Sequence, residues 1–164
     1  MADKLRVLYV DNEPGLLEIG KLFLEREGSF AVDTFLSAKQ AFEQLKTEKY
    51  DAIISDYQMP EMDGISFLKR LKASDDTTPF IIFTAKGRED VVIEALNNGA
   101  DFYVQIGGES NSQFAELSNK IRYAVSRKRA EESLRKREEQ LSLAIEASGA
   151  GLWDWKVQTG EVIF

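Results

Sequence analysis

The sequence predicts a doubly wound α/β sandwich, in which a five-stranded parallel sheet in a (βα)5 pattern is covered by helices on both faces and the last helix is extended. Three observations predict it. Over residues 1–110, short apolar runs alternate with segments whose apolar residues recur at helical spacing. Strands separated by helices of that length return to the same end of the sheet, so they run parallel. The first, third and fourth strand runs are apolar and β-branched, the texture of strands buried on both faces.

The elements follow in order. Leu5–Val10 (LRVLYV) is the first strand. Pro14–Glu27 places Leu16, Leu17, Ile19, Leu22, Phe23 and Leu24 at helical spacing, and Pro14 suits a first turn, where its missing N–H is not needed. Phe30–Phe35 is a second, less apolar strand. Ser37 can cap a helix running to about Thr47, with Ala38, Ala41, Phe42 and Leu45 on one face. Ala52–Ser55 is the third strand, and Asp56 follows it directly. Gly64–Ala73 is the third helix, built on Ile65, Leu68 and Leu71, and Pro79–Thr84 (PFIIFT) is the fourth strand. Glu89–Asn98 is the fourth helix, with Asn98–Gly99 as its stop. Phe102–Ile106 is the fifth strand, and a fifth helix begins near Ser112.

After Val125 the texture changes. Arg127–Gln140 (RKRAEESLRKREEQ) is dense in charge, with opposite signs four apart at Arg127 and Glu131, Lys128 and Glu132, and Arg135 and Glu139, as in a solvated helix. Leu134 and Leu141 lie seven apart, but Arg137 stands on the companion seam between Ala130 and Ala144. A solvated spacer helix is expected, and a homodimer through a coiled coil is the alternative. Ser148–Gly151 breaks the helix, and Gly151–Phe164 (GLWDWKVQTGEVIF) alternates around Thr159–Gly160 as a hairpin does. The expected organisation is a domain over 1–126, a charged helical linker over 127–147, and the truncated start of a second domain over 148–164.

Composition narrows the chemistry. The chain has no cysteine and no histidine, which removes thiolate and imidazole metal sites, disulfides and histidine-based triads. Residues 1–110 carry 20 acidic and 12 basic side chains, and residues 111–164 carry 8 and 9. An acidic body repels phosphate backbones, so no nucleic-acid partner is expected. No apolar run reaches the roughly 18 residues of a membrane span, and no secretory signal is visible, so a cytoplasmic location is expected.

Carboxylates, hydroxyls, amides and lysine therefore carry whatever chemistry there is. Asp11, Asn12 and Glu13 follow strand one, Asp56 follows strand three, and Thr84 ends strand four. All lie at the carboxyl edge of a parallel sheet, where such folds place their sites. In the flavodoxin-like order strand one sits beside strand three, which brings Asp11 and Asp56 within reach of one metal. Oxygen ligands around an open position suit magnesium. Taken singly, each residue also reads as a turn or cap.

The motifs LYVDNEPGLLE, IISDYQMPEMDG, PFIIFTA and NGADFYV occur in one order and spacing. With them, residues 1 to about 126 resemble the receiver domain of response regulators and hybrid histidine kinases. The resemblance implies a phosphorelay role: magnesium-dependent transfer of a phosphoryl group from a histidine kinase or phosphotransfer protein to Asp56, which switches a protein-interaction surface. It implies metal ligation by Asp11, Asn12, Asp56 and the backbone carbonyl of Gln58, with Thr84 and Tyr103 as switch residues. Two positions depart from the family pattern. Asn12 is an amide where an acid is usual, and Ile106 stands where a lysine normally pairs with the phosphoacceptor. Lys86 is a possible auxiliary cation at the same edge. The departures motivate an alternative, a pseudo-receiver that acts as an interaction module without phosphorylation. A phosphatase of the haloacid dehalogenase type would need a second aspartate where Gln58 stands. Leu141–Phe164 resembles the opening of a PAS domain, which implies a larger sensor protein such as a histidine kinase.

Overall fold

The computed structural model describes residues 4–85, 89–107 and 110–148. Among the described residues, five strands and five helices alternate strictly: β1 (Leu5–Val10), α1 (Pro14–Glu25), β2 (Phe30–Phe35), α2 (Ala38–Leu45), β3 (Ala52–Ser55), α3 (Gly64–Ala73), β4 (Phe80–Thr84), α4 (Glu89–Asn97), β5 (Phe102–Gln105) and α5 (Ser110–Ser148). The sheet order is β2-β1-β3-β4-β5, with every pair parallel. This is the expected flavodoxin-like arrangement. The chain reverses direction across the sheet between β1 and β3, so the ends of those two strands frame the crevice where ligands bind in such folds.

Side chains of successive strand residues point to opposite faces, and each face has its own core. On one, Leu8, Val10, Ile53, Phe80 and Ile82 pack with Ala38 and Ala41 of α2, Phe67, Leu68 and Leu71 of α3, and Val91 and Ala95 of α4. On the other, Val7, Tyr9, Ala52, Ile54, Ile81, Phe83 and Val104 pack with Leu17 and Leu24 of α1 and with Phe114, Leu117, Ile121 and Val125 of α5. The middle strands β3 and β4 are buried at every position, which is why their sequences show no alternation. The edge strand β2 is only half buried, which explains its weaker signal.

Local chemistry fixes the element ends. Pro14 opens α1, and the Ser37 hydroxyl accepts from the Gln40 amide at 3.2 Å to cap α2. Gly99 adopts φ 101° just beyond α4, a conformation that favours glycine. The differences from expectation lie at such ends. The α1 helix stops at Glu25 rather than Glu27, because Gly28 turns at φ 79° and its amide reaches back to the Glu25 carbonyl. The β4 strand begins at Phe80, since Pro79 has no N–H to give a ladder, although its carbonyl accepts from Ile53. The α5 helix begins at Ser110, two residues early.

The chain divides into two compact units, Met1–Val125 and Ser126–Phe164. In the second, residues 126–148 are helical, with ion pairs Arg127–Glu131 at 3.7 Å and Arg135–Glu139 at 3.9 Å, both at the expected spacing of four. Leu134, Leu141 and Leu143 are exposed. The expected hairpin over 151–164 lies outside the described residues. Among the described residues, no helix is long and apolar enough to cross a membrane.

Candidate functional site

The register sets the site. Val10 pairs with Ser55, and Ser55 with Ile82, so the next residues along, Asp11, Asp56 and Phe83, share one row at the carboxyl edge. Neighbouring strands lie about 4.8 Å apart. The Asp56 amide donates to the Val10 carbonyl at 3.0 Å, which locks the two strand ends together. Thr84 is one residue further along β4 and buried, paired with Gln105.

Asp11 is 1% exposed. Its Oδ1 accepts from the Glu13 amide at 2.9 Å, whereas its Oδ2 is buried without a hydrogen-bond partner. Burial, and then the charge of Asp56 beside it, push the Asp11 carboxyl up from 3.8 to about 7, against the opposing pull of the Glu13 amide. A buried carboxylate with one bare oxygen, held next to a second carboxylate, is a poor arrangement for a metal-free protein and a good one for a hard cation. Asn12 is exposed at the rim, as is Gln58, two residues after Asp56. These oxygen donors fit magnesium. Among the described residues, no group of three or more His, Cys, Asp or Glu side chains gathers as a metal site, so a cation here would rest on two carboxylates plus amide, carbonyl and water oxygens.

Asp56 is half buried, neither sealed nor fully exposed. Its Oδ1 accepts from the Tyr57 amide at 2.8 Å, and its carbonyl accepts from the Ser55 hydroxyl at 2.8 Å. The loop that follows folds back, and the Gly64 amide donates to the Tyr57 carbonyl at 2.8 Å. A Cβ on Gly64 would lie 2.2 Å from the Asp56 carbonyl oxygen, so only glycine allows the start of α3 to sit this close. The Asp63 side chain caps α3 by accepting from Ser66 at 2.7 Å, which anchors the far end of the same loop. Sequence reasoning missed both roles. The Asp-Gly pair ahead of a helix was the available signal.

Tyr103 is half buried on the face covered by α2, α3 and α4, with its hydroxyl buried and unpartnered. Burial, then the nearby Tyr57 and Asp56, raise its pKa. Ile106 packs against the core built from α1 and α5, and its amide donates to the Thr84 carbonyl at 2.8 Å. The next residue, Gly107, has its carbonyl bonded by the side-chain amide of the buried Gln113. Lys86 lies outside the described residues. The structure thus brings Asp11, Asp56 and Thr84 to one edge, leaves Asn12 and Gln58 exposed, and packs the Ile106 side chain against the α1 and α5 core.

Fold and site together define a flavodoxin-like α/β domain with an acidic crevice at its carboxyl edge. The sequence profile described as the response regulator receiver domain matches residues 7–106, and the chain belongs to that family. It is 35% identical over 106 residues to the response regulator Rre1 of Synechocystis sp., a match covering 63% of this chain and 46% of that protein. It is 37% identical over 98 residues to the transcriptional regulatory protein SrrA of Staphylococcus aureus, covering 60% and 40%. The chain therefore spans less than half the length of these curated relatives. Among solved structures, the receiver domain of Francisella response regulator 1452 superposes with a TM-score of 0.69 at 29% identity, over 76% of this chain and 99% of that one. The chain thus carries the receiver module of two-component response regulators.

Proposed function

We propose that this domain is a working phosphoacceptor, with Asp56 as the residue phosphorylated by a histidine kinase or phosphotransfer protein. The observation that carries the reading is the coupled acidic pair: buried Asp11, with one bare oxygen and a carboxyl raised to about 7, beside the accessible Asp56. Such a pair gains from a cation, and magnesium when bound would offset both negative charges and those of the incoming phosphoryl oxygens. Asp11, Asp56, Asn12 and the Gln58 carbonyl are the groups that would hold it. The Tyr57 amide on Asp56 Oδ1 orients the carboxylate for in-line attack on phosphorus. The new O–P bond forms as the donor's P–N bond breaks, and the donor imidazole keeps the electron pair. Thr84 and Tyr103 then respond to the added charge, which biases a partner surface.

Beryllofluoride, which mimics the phosphoryl group, tests this cheaply. Fluorine NMR with magnesium should show a bound resonance in the natural chain and none in Asp56→Asn. A spectrum with free fluoride species only, or a bound signal that survives the substitution, removes the proposal.

A second reading is a pseudo-receiver that signals by binding alone. It is favoured by Ile106, whose side chain is absorbed into the α1 and α5 core and supplies no cation to the site. The remaining assignments are proposals too: domain limits of 1–126, 127–147 and 148–164, a PAS-like segment opening at 148, a parent sensor such as a histidine kinase, and a cytoplasmic setting. A homodimer through exposed Leu134 and Leu141 belongs with them, and a concentration-independent monomer in sedimentation would discard it.

A further inference from the structure

The sheet has two edges, and they differ in length. The β5 edge is four residues long, whereas β2 runs for six. A long edge strand offers a row of outward N–H and C=O groups to another chain. In β2 the ladder fixes which groups those are. The Leu5 amide donates to the Ser29 carbonyl at 2.9 Å and the Asp11 amide to the Phe35 carbonyl at 3.1 Å, so the odd-numbered residues face β1. Successive residues of a parallel strand turn their N–H and C=O groups to opposite sides, which leaves Phe30, Val32 and Thr34 facing outward.

Polar side chains are spaced along that outward row. At its start, the Arg122 guanidinium stands over the Phe30 ring at 5.1 Å and pairs with Glu27 at 2.7 Å. At its centre, Val32 donates its outward amide to Glu25 Oε2 at 2.8 Å. Just past its end, the Leu36 amide donates to Gln40 Oε1 at 3.3 Å. Between the last two, Thr34 lies in an open groove with Leu17, Lys21 and the exposed Leu36. The Glu25 contact is the one that blocks strand addition. It comes from the last residue of α1 and takes up the donor at the middle of the row. Thr34 by itself gives an incoming strand one bonding position and no register, whereas Val32 and Thr34 together give a ladder.

We propose that Glu25 guards the β2 edge, and that the surface it closes takes the β2 edge of a second copy of this chain once the guard is removed. An antiparallel pair centred on Val32 is self-complementary, as a two-fold interface requires. It sets Phe30 opposite Thr34 and Asp33 opposite Ala31, so no like charges face each other across the pair. Asp33 is also held within its own chain, by the Tyr50 hydroxyl at 2.6 Å and by Arg6 at 3.5 Å. The guard works through a hydrogen bond to the backbone, so it needs an acceptor at residue 25 rather than a charge. It is independent of phosphorylation at Asp56.

The test follows the mass of the full chain by sedimentation over a range of concentrations. The natural chain sets the reference mass at each concentration, whatever its C-terminal helix does. Glu25→Ala should double that mass as concentration rises. In dilute solution its Val32 amide should exchange with deuterium roughly tenfold faster, the loss of one hydrogen bond to a charged group. Glu25→Gln keeps an acceptor and should hold the reference mass. Thr34→Pro added to Glu25→Ala removes an outward N–H without touching the ladder to β1, and should return the mass to the reference. A Glu25→Ala chain that keeps the reference mass overturns the proposal. So does a Glu25→Gln chain that associates as Glu25→Ala does, because loss of charge alone would then suffice. A double variant that still associates overturns it too, because the pairing would not run along this edge.

Discussion

Replacing Asp11 with asparagine should make the metal-free protein more stable, and more so at pH 8 than at pH 5. The Asp11 carboxyl is raised from 3.8 to about 7 in the fold. Between those values the folded state holds a proton that the unfolded chain has released. Stability therefore declines as pH rises through this window, by about 1.4 kcal/mol per pH unit, and levels off above the folded value. Integrated from 3.8 to 7, the penalty of ionising Asp11 amounts to about 4 kcal/mol, of which about 3 kcal/mol accrues above pH 5. Asparagine keeps a carbonyl oxygen for the Glu13 amide but never ionises. Its buried NH2 group carries a cost of its own, which is the same at both pH values and cancels in the comparison. Urea denaturation of both proteins in EDTA at pH 5 and pH 8 measures the quantity directly. The stability difference between variant and parent should be about 3 kcal/mol larger at pH 8. Equal differences at the two pH values would refute the reasoning, because Asp11 would then titrate as an ordinary carboxylate.

Gly64→Ala should destabilise the fold by roughly 2–4 kcal/mol and abolish phosphoryl labelling, since a Cβ 2.2 Å from the Asp56 carbonyl must displace the loop that sets the phosphoacceptor; thermal denaturation and labelling check the pair. Ile106→Lys should accelerate labelling by acetyl phosphate while costing about 1 kcal/mol of stability, because it removes an aliphatic contact from the α1 and α5 core and adds a cation near the site. A variant equal to the parent in both measurements would show that Ile106 is not what sets the site apart.

The fold was legible because each level of the sequence agreed with the next. β3 and β4 read as continuous apolar runs because helices bury both their faces, and α1 showed its start at Pro14. The element ends slipped where hydrogen bonding rather than hydrophobicity decides them, as at Gly28 and Pro79. The acidic pair was legible because parallel topology forces residues that follow strands to one edge. The supporting contacts were not. That Gly64 meets the Asp56 carbonyl, or that Gly20 makes room for Tyr9, depends on how closely helix and strand approach, and no periodicity encodes that distance. The spacing of two from Phe102 through Val104 to Ile106 does place all three on one face, the one that α1 and α5 cover.

Intact mass of the chain after exposure to acetyl phosphate is the most direct measurement of whether these two carboxylates form one working centre. With magnesium, one phosphoryl group should appear; it should vanish with EDTA or in Asp56→Asn and be strongly reduced in Asp11→Asn. A chain that stays unmodified in magnesium, or is modified equally well in EDTA, would contradict a metal-assisted nucleophile at Asp56.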